Sequence, residues 1–241
     1  MDHLQRQIEK LTRMLVPLGT RVEESLYDAV KAIRTRDPDL AQRVIDGDRQ
    51  IDALEVELEE ECLHTLALHQ PVAYDLRFVV AVLKINNNLE RIGDLAANIA
   101  EQAKRLASEP EVSPLPFNLA RMCDVAARML NGALDALVEV DPNKAREVRR
   151  LDDEVDDIHS AMYERVSEAI VERPEQTDAL LLLTTVSRHV ERIADHAVNI
   201  AKDVIYMAEG EIVRHSRARR ELADEESRGI DPDPPIRLAG S

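Results

Sequence analysis

Glycine is scarce in this chain, with seven in 241 residues, and its eleven prolines fall mostly between periodic apolar segments. A sheet protein needs turn residues at short intervals, and no window here alternates apolar with polar residues as a half-buried strand does. What remains, dominated by Ala, Leu, Glu, Arg and Val, is the composition of a helical protein. Cysteine occurs only at Cys62 and Cys123, without CxxC or Cys/His spacing. That leaves no disulfide framework and suits buried thiols of a reducing compartment.

Long apolar runs are missing as well. The longest, Ala179 to Leu183, falls far short of a bilayer span. The opening Met1-Asp2-His3-Leu4-Gln5-Arg6 is polar and runs straight into an amphipathic pattern, without the apolar core of a signal peptide. Basic charge is also in short supply. Against 47 Asp and Glu stand 31 Lys and Arg, a formal net charge of −16, which repels nucleic-acid phosphates and anionic lipid. The expectation is a cytoplasmic protein, neither membrane-embedded nor bound to nucleic acid, whose partners are cations or basic protein surfaces. No glycine-rich phosphate loop, GxSxG, HExxH or Cys/His dyad is present, so no motif nominates an enzyme.

The dominant positive feature is an internal repeat. Leu89-Glu90-Arg91-Ile92-Gly93-Asp94, continued by Asn98, recurs 101 residues later as Val190-Glu191-Arg192-Ile193-Ala194-Asp195, continued by Asn199. Upstream, Asp37-Pro38 recurs as Asp141-Pro142 at an offset of 104, and the same offset carries Asp48 and Asp52 onto Asp152 and Asp156. Asp-Pro combines an N-cap with an N1 proline, a helix start signal. Apolar residues three and four apart then predict helices over about Leu4–Thr35, Asp37–His69, Pro71–Ser108, Leu115–Val140, Asn143–Val171 and Glu175–Arg217. The fold class expected is all-α: two tandem three-helix bundles related by a pseudo-twofold, residues 1–109 and 115–217, with 218–241 a flexible acidic and proline-rich tail.

Acidic residues four apart sit one helical turn from each other and repel. Such pairs are common in a chain this acidic, so the repeat serves as a filter. Glu24/Asp28, Glu55/Glu59, Glu57/Glu61 and Glu164/Glu168, among others, lose the pair in the other half; Glu55/Glu59, for instance, falls on His159/Tyr163. Only Asp48/Asp52 with Asp152/Asp156, and Glu90/Asp94 with Glu191/Asp195, keep both carboxylates in both halves. On helices joined by a short connection these four acids per half can converge and bind hard or borderline cations, several carboxylates bridging more than one ion. Projected on a helix, Glu90 and Asp94 point away from the Ile92, Ala96, Ile99 stripe, so the site is expected on an open face. The alternative is a solvated surface partnered by Arg91 and Arg192. Glu61/His64 and Asp156/His159 each occur once and do not repeat, whereas di-iron chemistry in a buried bundle wants paired motifs of that kind; they are read as chance.

Glu90 to Asp94 and its copy, Gln70-Pro71-Val72-Ala73-Tyr74-Asp75-Leu76-Arg77, and the run Asp39 to Asp48 together resemble the PhoU family of phosphate transport system regulatory proteins, over about residues 2 to 215. The resemblance implies a cytoplasmic, non-enzymatic negative regulator that restrains phosphate uptake by binding the ATPase of the phosphate ABC importer. It further implies that the protein holds a phosphate-sensing histidine kinase in its repressing mode. Family members carry multinuclear metal clusters on E/D-x-x-x-D motifs, here Asp48, Asp52, Glu90 and Asp94, then Asp152, Asp156, Glu191 and Asp195. The ions implied are divalent or trivalent: Fe, Zn, Mn or Mg. A homodimer is expected from the family and the long amphipathic helices. Two departures stand out: Ala194 where Gly93 stands in the first half, and Pro174-Glu175-Gln176 in place of the Gln-Pro to Leu-Arg run. The other reading kept open is a metal-dependent enzyme of the carboxylate-bridged helical-bundle type.

Overall fold

Two Asp-Pro steps set the architecture of the protein, seen in a computed structural model that describes residues 3 to 210. The tail expected to be flexible, 218–241, lies outside the described residues. At each step the chain leaves a helix through one left-handed residue, Arg36 (φ 53°) or Val140 (φ 52°), and the following aspartate caps the next helix. Asp37 Oδ1 accepts from the amides of Asp39 and Leu40 at 3.0 and 2.9 Å, and Asp141 Oδ1 from those of Asn143 and Lys144 at 2.8 and 3.4 Å. A cap of this kind contributes about 1 kcal/mol. With Pro38 and Pro142 at N1, the two turns are copies of each other.

Six helices result: α1 (His3–Thr35), α2 (Pro38–His69), α3 (Ala73–Leu106), α4 (Leu119–Glu139), α5 (Pro142–Glu172) and α6 (Thr177–Glu209). Helix α4 begins four residues later than the periodicity predicts. Pro114 and Pro116 deny that stretch helical amides, and Asn118 caps the true start by accepting from the Arg121 amide at 3.1 Å. Residues Pro174–Gln176 form a single 3-10 turn ahead of α6.

Helices α1, α2 and α3 pack on one another, as do α4, α5 and α6, giving the two expected three-helix bundles. Their cores are the predicted stripes: Leu11, Leu18 and Val22 of α1, Ile51 and Leu58 of α2, Leu89, Ile92 and Ile99 of α3, and the counterparts Met122, Ala126, Val155, Met162, Val190, Ile193 and Ile200. Each such aliphatic side chain contributes roughly 1.5 to 3 kcal/mol by leaving water. The bundles join chiefly along α3 against α6, with a smaller contact of α1 on α4. Among the described residues α2 and α5 touch no helix of the other bundle. Each therefore has its own bundle on one side, and the clefts α2/α3 and α5/α6 become matching faces. Cys62 and Cys123 are buried free thiols, each pushed up to about 12 chiefly by burial, as inert structural cysteines are. No helix among the described residues is long and apolar enough to cross a membrane.

Candidate metal-binding faces

Helix register brings the first set of acids together. Ile51 of α2 packs against Gly93 of α3, so a β-carbon on Gly93 would lie 3.0 Å from Ile51 Cδ1 and 3.4 Å from Asp48 Oδ1. The absent side chain lets the helices approach and carries Asp48 onto the turn that presents Glu90 and Asp94. Asp48, Glu90 and Asp94 are half-buried and Asp52 is exposed, so the acids line the rim of the cleft and lie outside the apolar core.

Their mutual influence is electrostatic. Burial, then the charges of Asp52 and Asp94, push the Asp48 carboxyl from an ordinary 3.8 to about 6. Glu90 is raised by burial, then by Asp94, against the pull of Arg91, with Glu55 and Asp52 adding to the rise. Two carboxylate oxygens here are buried and accept no hydrogen bond, Asp48 Oδ1 and Glu90 Oε2. Arg91 does what the solvated-face alternative asks of it in part. Its Nη1 donates to Asp94 Oδ2 at 3.2 Å, and its Nε lies 3.3 Å from Glu90 Oε2 without hydrogen-bond geometry. One exposed arginine does not balance the four acids.

The second face repeats this arrangement. Asp152 and Glu191 are half-buried, Asp156 and Asp195 exposed. Burial, then Asp156 and Asp195, lift Asp152 to about 6, with Lys202 opposing. Glu191 is raised by burial and by Asp195, Asp156 and Asp152, and Asp156 by burial and Asp195. All eight acids singled out by the repeat are thus placed as two sets of four, one per bundle.

The repeat filter passed over a further pair at the floor of each cleft. Glu55, one turn beyond Asp52, feels the charges of Glu59 and Asp52, and its Oε1 accepts from Nδ2 of the buried Asn86 at 3.2 Å. Asn86 Oδ1 is itself buried without a donor. At the equivalent places, offset by 104 and 101, stand His159 and Ser187, and His159 Nδ1 lies 3.1 Å from Ser187 Oγ. Carboxylates kept in both halves do not include this position, because a carboxylate is exchanged for an imidazole; a potential metal ligand is nevertheless present in both halves.

Hard oxygen donors, two of them orphaned, in a half-open cleft of strongly negative potential fit a multivalent cation. Among the described residues no three His, Cys, Asp or Glu side chains already stand in a group able to hold an ion. Carboxylates that repel one another do not close to coordinating distance by themselves.

Residues 15–103 and 119–204 each match the PhoU domain family. The chain is 36% identical to the phosphate-specific transport system accessory protein PhoU homolog of Aquifex aeolicus (strain VF5), over 89% of this chain and 96% of that one. The crystal structure of PhoU from Pseudomonas aeruginosa superposes with a TM-score of 0.84 at 33% identity, covering 87% of this chain and 100% of that chain. The phosphate transport system regulatory protein PhoU of Streptococcus pneumoniae is similar at a TM-score of 0.78 and 26% identity, over 88% and 99% of the two chains.

Proposed function

The chain belongs to the PhoU family, and from that premise we propose that it is a non-enzymatic regulator of phosphate transport that acts as a metal-binding adaptor. Its partners in this reading are the ATPase of the phosphate ABC importer, which it restrains, and the phosphate-sensing histidine kinase, which it keeps repressing. It works in the cytoplasm as a homodimer.

The observation that carries the metal part is the pair of duplicated acid sets, Asp48, Asp52, Glu90, Asp94 and Asp152, Asp156, Glu191, Asp195. In each, burial and like charge resist ionisation. Unrelated surface positions have no physical reason to keep sign and register through a duplication. A cation, when bound, supplies the positive charge that reconciles them. The chain's part is to hold the ligands: Asp48 and Asp152 from α2 and α5, Glu90 and Glu191 from α3 and α6, with Asp52, Asp94, Asp156 and Asp195 on the solvent side. Because these acids line the rims of open clefts, the site suits docking against a basic surface better than it suits chemistry that must exclude water. That geometry weighs against the carboxylate-bridged enzyme.

Elemental analysis of purified protein tests the metal claim. Glu90→Ala with Asp94→Ala is expected to remove about half the bound metal while leaving the helical signal and melting cooperativity intact, since residues at a half-open rim contribute little to the core. Equal metal content in wild type and double variant would remove the claim. Co-purification of the importer ATPase with the tagged protein, without oxygen consumption or hydrolysis, tests the adaptor role. Turnover that disappears in Glu90→Ala would favour the enzyme instead.

A further inference from the structure

We propose that His159 is a nitrogen ligand of the second acidic face and Glu55 its oxygen counterpart in the first, so that one duplicated fold presents two sites of different metal preference. The inference rests on the metal-binding reading above and concerns which residues complete each site.

Four observations carry it. First, the repeat superposes not only the acids but the polar pair beneath them, Glu55 with Asn86 on one side and His159 with Ser187 on the other. Asn86 and Ser187 are 1% and 0% exposed, so each is a fixed internal anchor for a half-buried partner at the cleft. Second, His159 lies one turn along α5 from Asp156, on the side that faces α6 through Ser187.

Third, the pair allows a tautomer that leaves one ring nitrogen free. Ser187 Oγ is within donating reach of Met122 Sδ at 3.3 Å and of His159 Nδ1 at 3.1 Å. With the hydroxyl proton on the sulfur side, Oγ accepts from His159 Nδ1–H and the lone pair sits on Nε2. A ligating histidine is typically held in this way, one nitrogen tied to a second group that sets the tautomer and ring orientation. Fourth, the ring is steadied from the side by Tyr163, edge to face with centroids 5.3 Å apart and planes at 82°. In the first half Glu55 offers a carboxylate at the same place, fixed by Asn86.

The chemical consequence follows from donor type. An all-oxygen set suits Mg, Ca and Mn, whereas imidazole added to carboxylates favours Zn and its borderline neighbours. The first face, with Asp48, Asp52, Glu55, Glu90 and Asp94, is the hard site. The second, with Asp152, Asp156, His159, Glu191 and Asp195, is the borderline one.

Full-length protein stripped of metal and titrated separately with Zn²⁺ and Mn²⁺ by calorimetry tests this. Wild type is expected to show one Zn²⁺ site tighter than the other. His159→Ala should weaken the tighter site by roughly tenfold or more, with Mn²⁺ binding changed less than about twofold. His159→Glu should make the two faces alike, and Glu55→His should create a second tight Zn²⁺ site. A measurement on unaltered protein guards against a variant that merely unfolds: in ¹⁵N-labelled wild type, the Nε2 resonance of His159 should move on Zn²⁺ addition while Nδ1 keeps its proton. If Zn²⁺ binding is lost in Asp152→Asn with Asp156→Asn but is indifferent to His159, and Nε2 does not respond, the inference fails while the metal reading stands. Absence of metal binding at both faces overturns both.

Discussion

Asp48 and Asp152 spend stability when they ionise. In the unfolded chain each loses its proton near 3.8, whereas in the fold each holds it until about 6. Between those values the folded state binds the extra protons, so raising the pH lowers stability across the window, and above about 6 the loss is complete. Glu55, Glu90, Asp156 and Glu191 are shifted the same way and add to the slope, while Glu154, drawn down by Arg121, and His159, His189 and His196, held down chiefly by burial, oppose it. In metal-free protein Asp48 and Asp152 are therefore expected to contribute more resistance to urea at pH 5 than at pH 7. Asp48→Asn and Asp152→Asn should each flatten that trend, stabilising the protein at pH 7 and leaving it little changed near pH 4. Parallel pH profiles for wild type and both variants would overturn the assignment. The same protons must leave when a cation binds, so metal affinity should climb through this window.

At the level of helices, the two halves answer one packing question differently. Gly93 leaves room for Ile51, whose Cδ1 and Cγ2 would lie 3.0 and 3.1 Å from an added β-carbon. In the second half Ala194 occupies the position of Gly93, and Val155 that of Ile51. Valine lacks the terminal methyl, so the departure from the repeat's glycine is a compensated exchange that leaves the α5/α6 contact in place. Gly93→Ala alone gains about 1 kcal/mol of helix propensity but overpacks by about 1 to 3 kcal/mol, a net loss. Combined with Ile51→Val the overpacking should shrink, because valine drops the Cδ1 contact and keeps only the Cγ2 one, so the double variant should lose less than the two single losses added together. Urea melts of the two single variants and the double variant, read as a double-mutant cycle, check this; additive effects would show that the two side chains do not meet.

The same helices show what was readable in advance. Six helices, two Asp-Pro starts and eight acids follow from periodicity and duplication, because amphipathic period and capping chemistry are local. The start of α4 differs from the periodic expectation because Pro114 and Pro116 sit within an apolar pattern that continues across the linker. The pairing of Glu55 with Asn86 and of His159 with Ser187 was not legible, because it depends on which turn of α3 lies opposite which turn of α2. That register is set by side-chain packing between the helices, which no spacing rule supplies.

For the molecule as a whole, the excess of 16 negative charges acts on encounter more than on the docked complex. The outward acidic faces concentrate that potential, and in the adaptor reading their partners are basic. Screening shortens the reach of such a field from about 30 Å at 0.01 M salt to about 8 Å at 0.15 M. Association with the importer ATPase should therefore slow by roughly tenfold or more over that range, with dissociation changing far less. Metal loading makes the expectation sharper. Each divalent ion held by Asp48, Asp52, Glu90 and Asp94, or by their copies, cancels two charges at the face that does the steering, so loaded protein should show a shallower salt dependence than stripped protein. Stopped-flow association at several salt concentrations, with and without bound metal, separates the possibilities. Identical slopes would mean that the partner meets some other surface and that the acidic clefts are ion sites alone. A salt-independent rate would mean that electrostatic steering plays no part in the encounter.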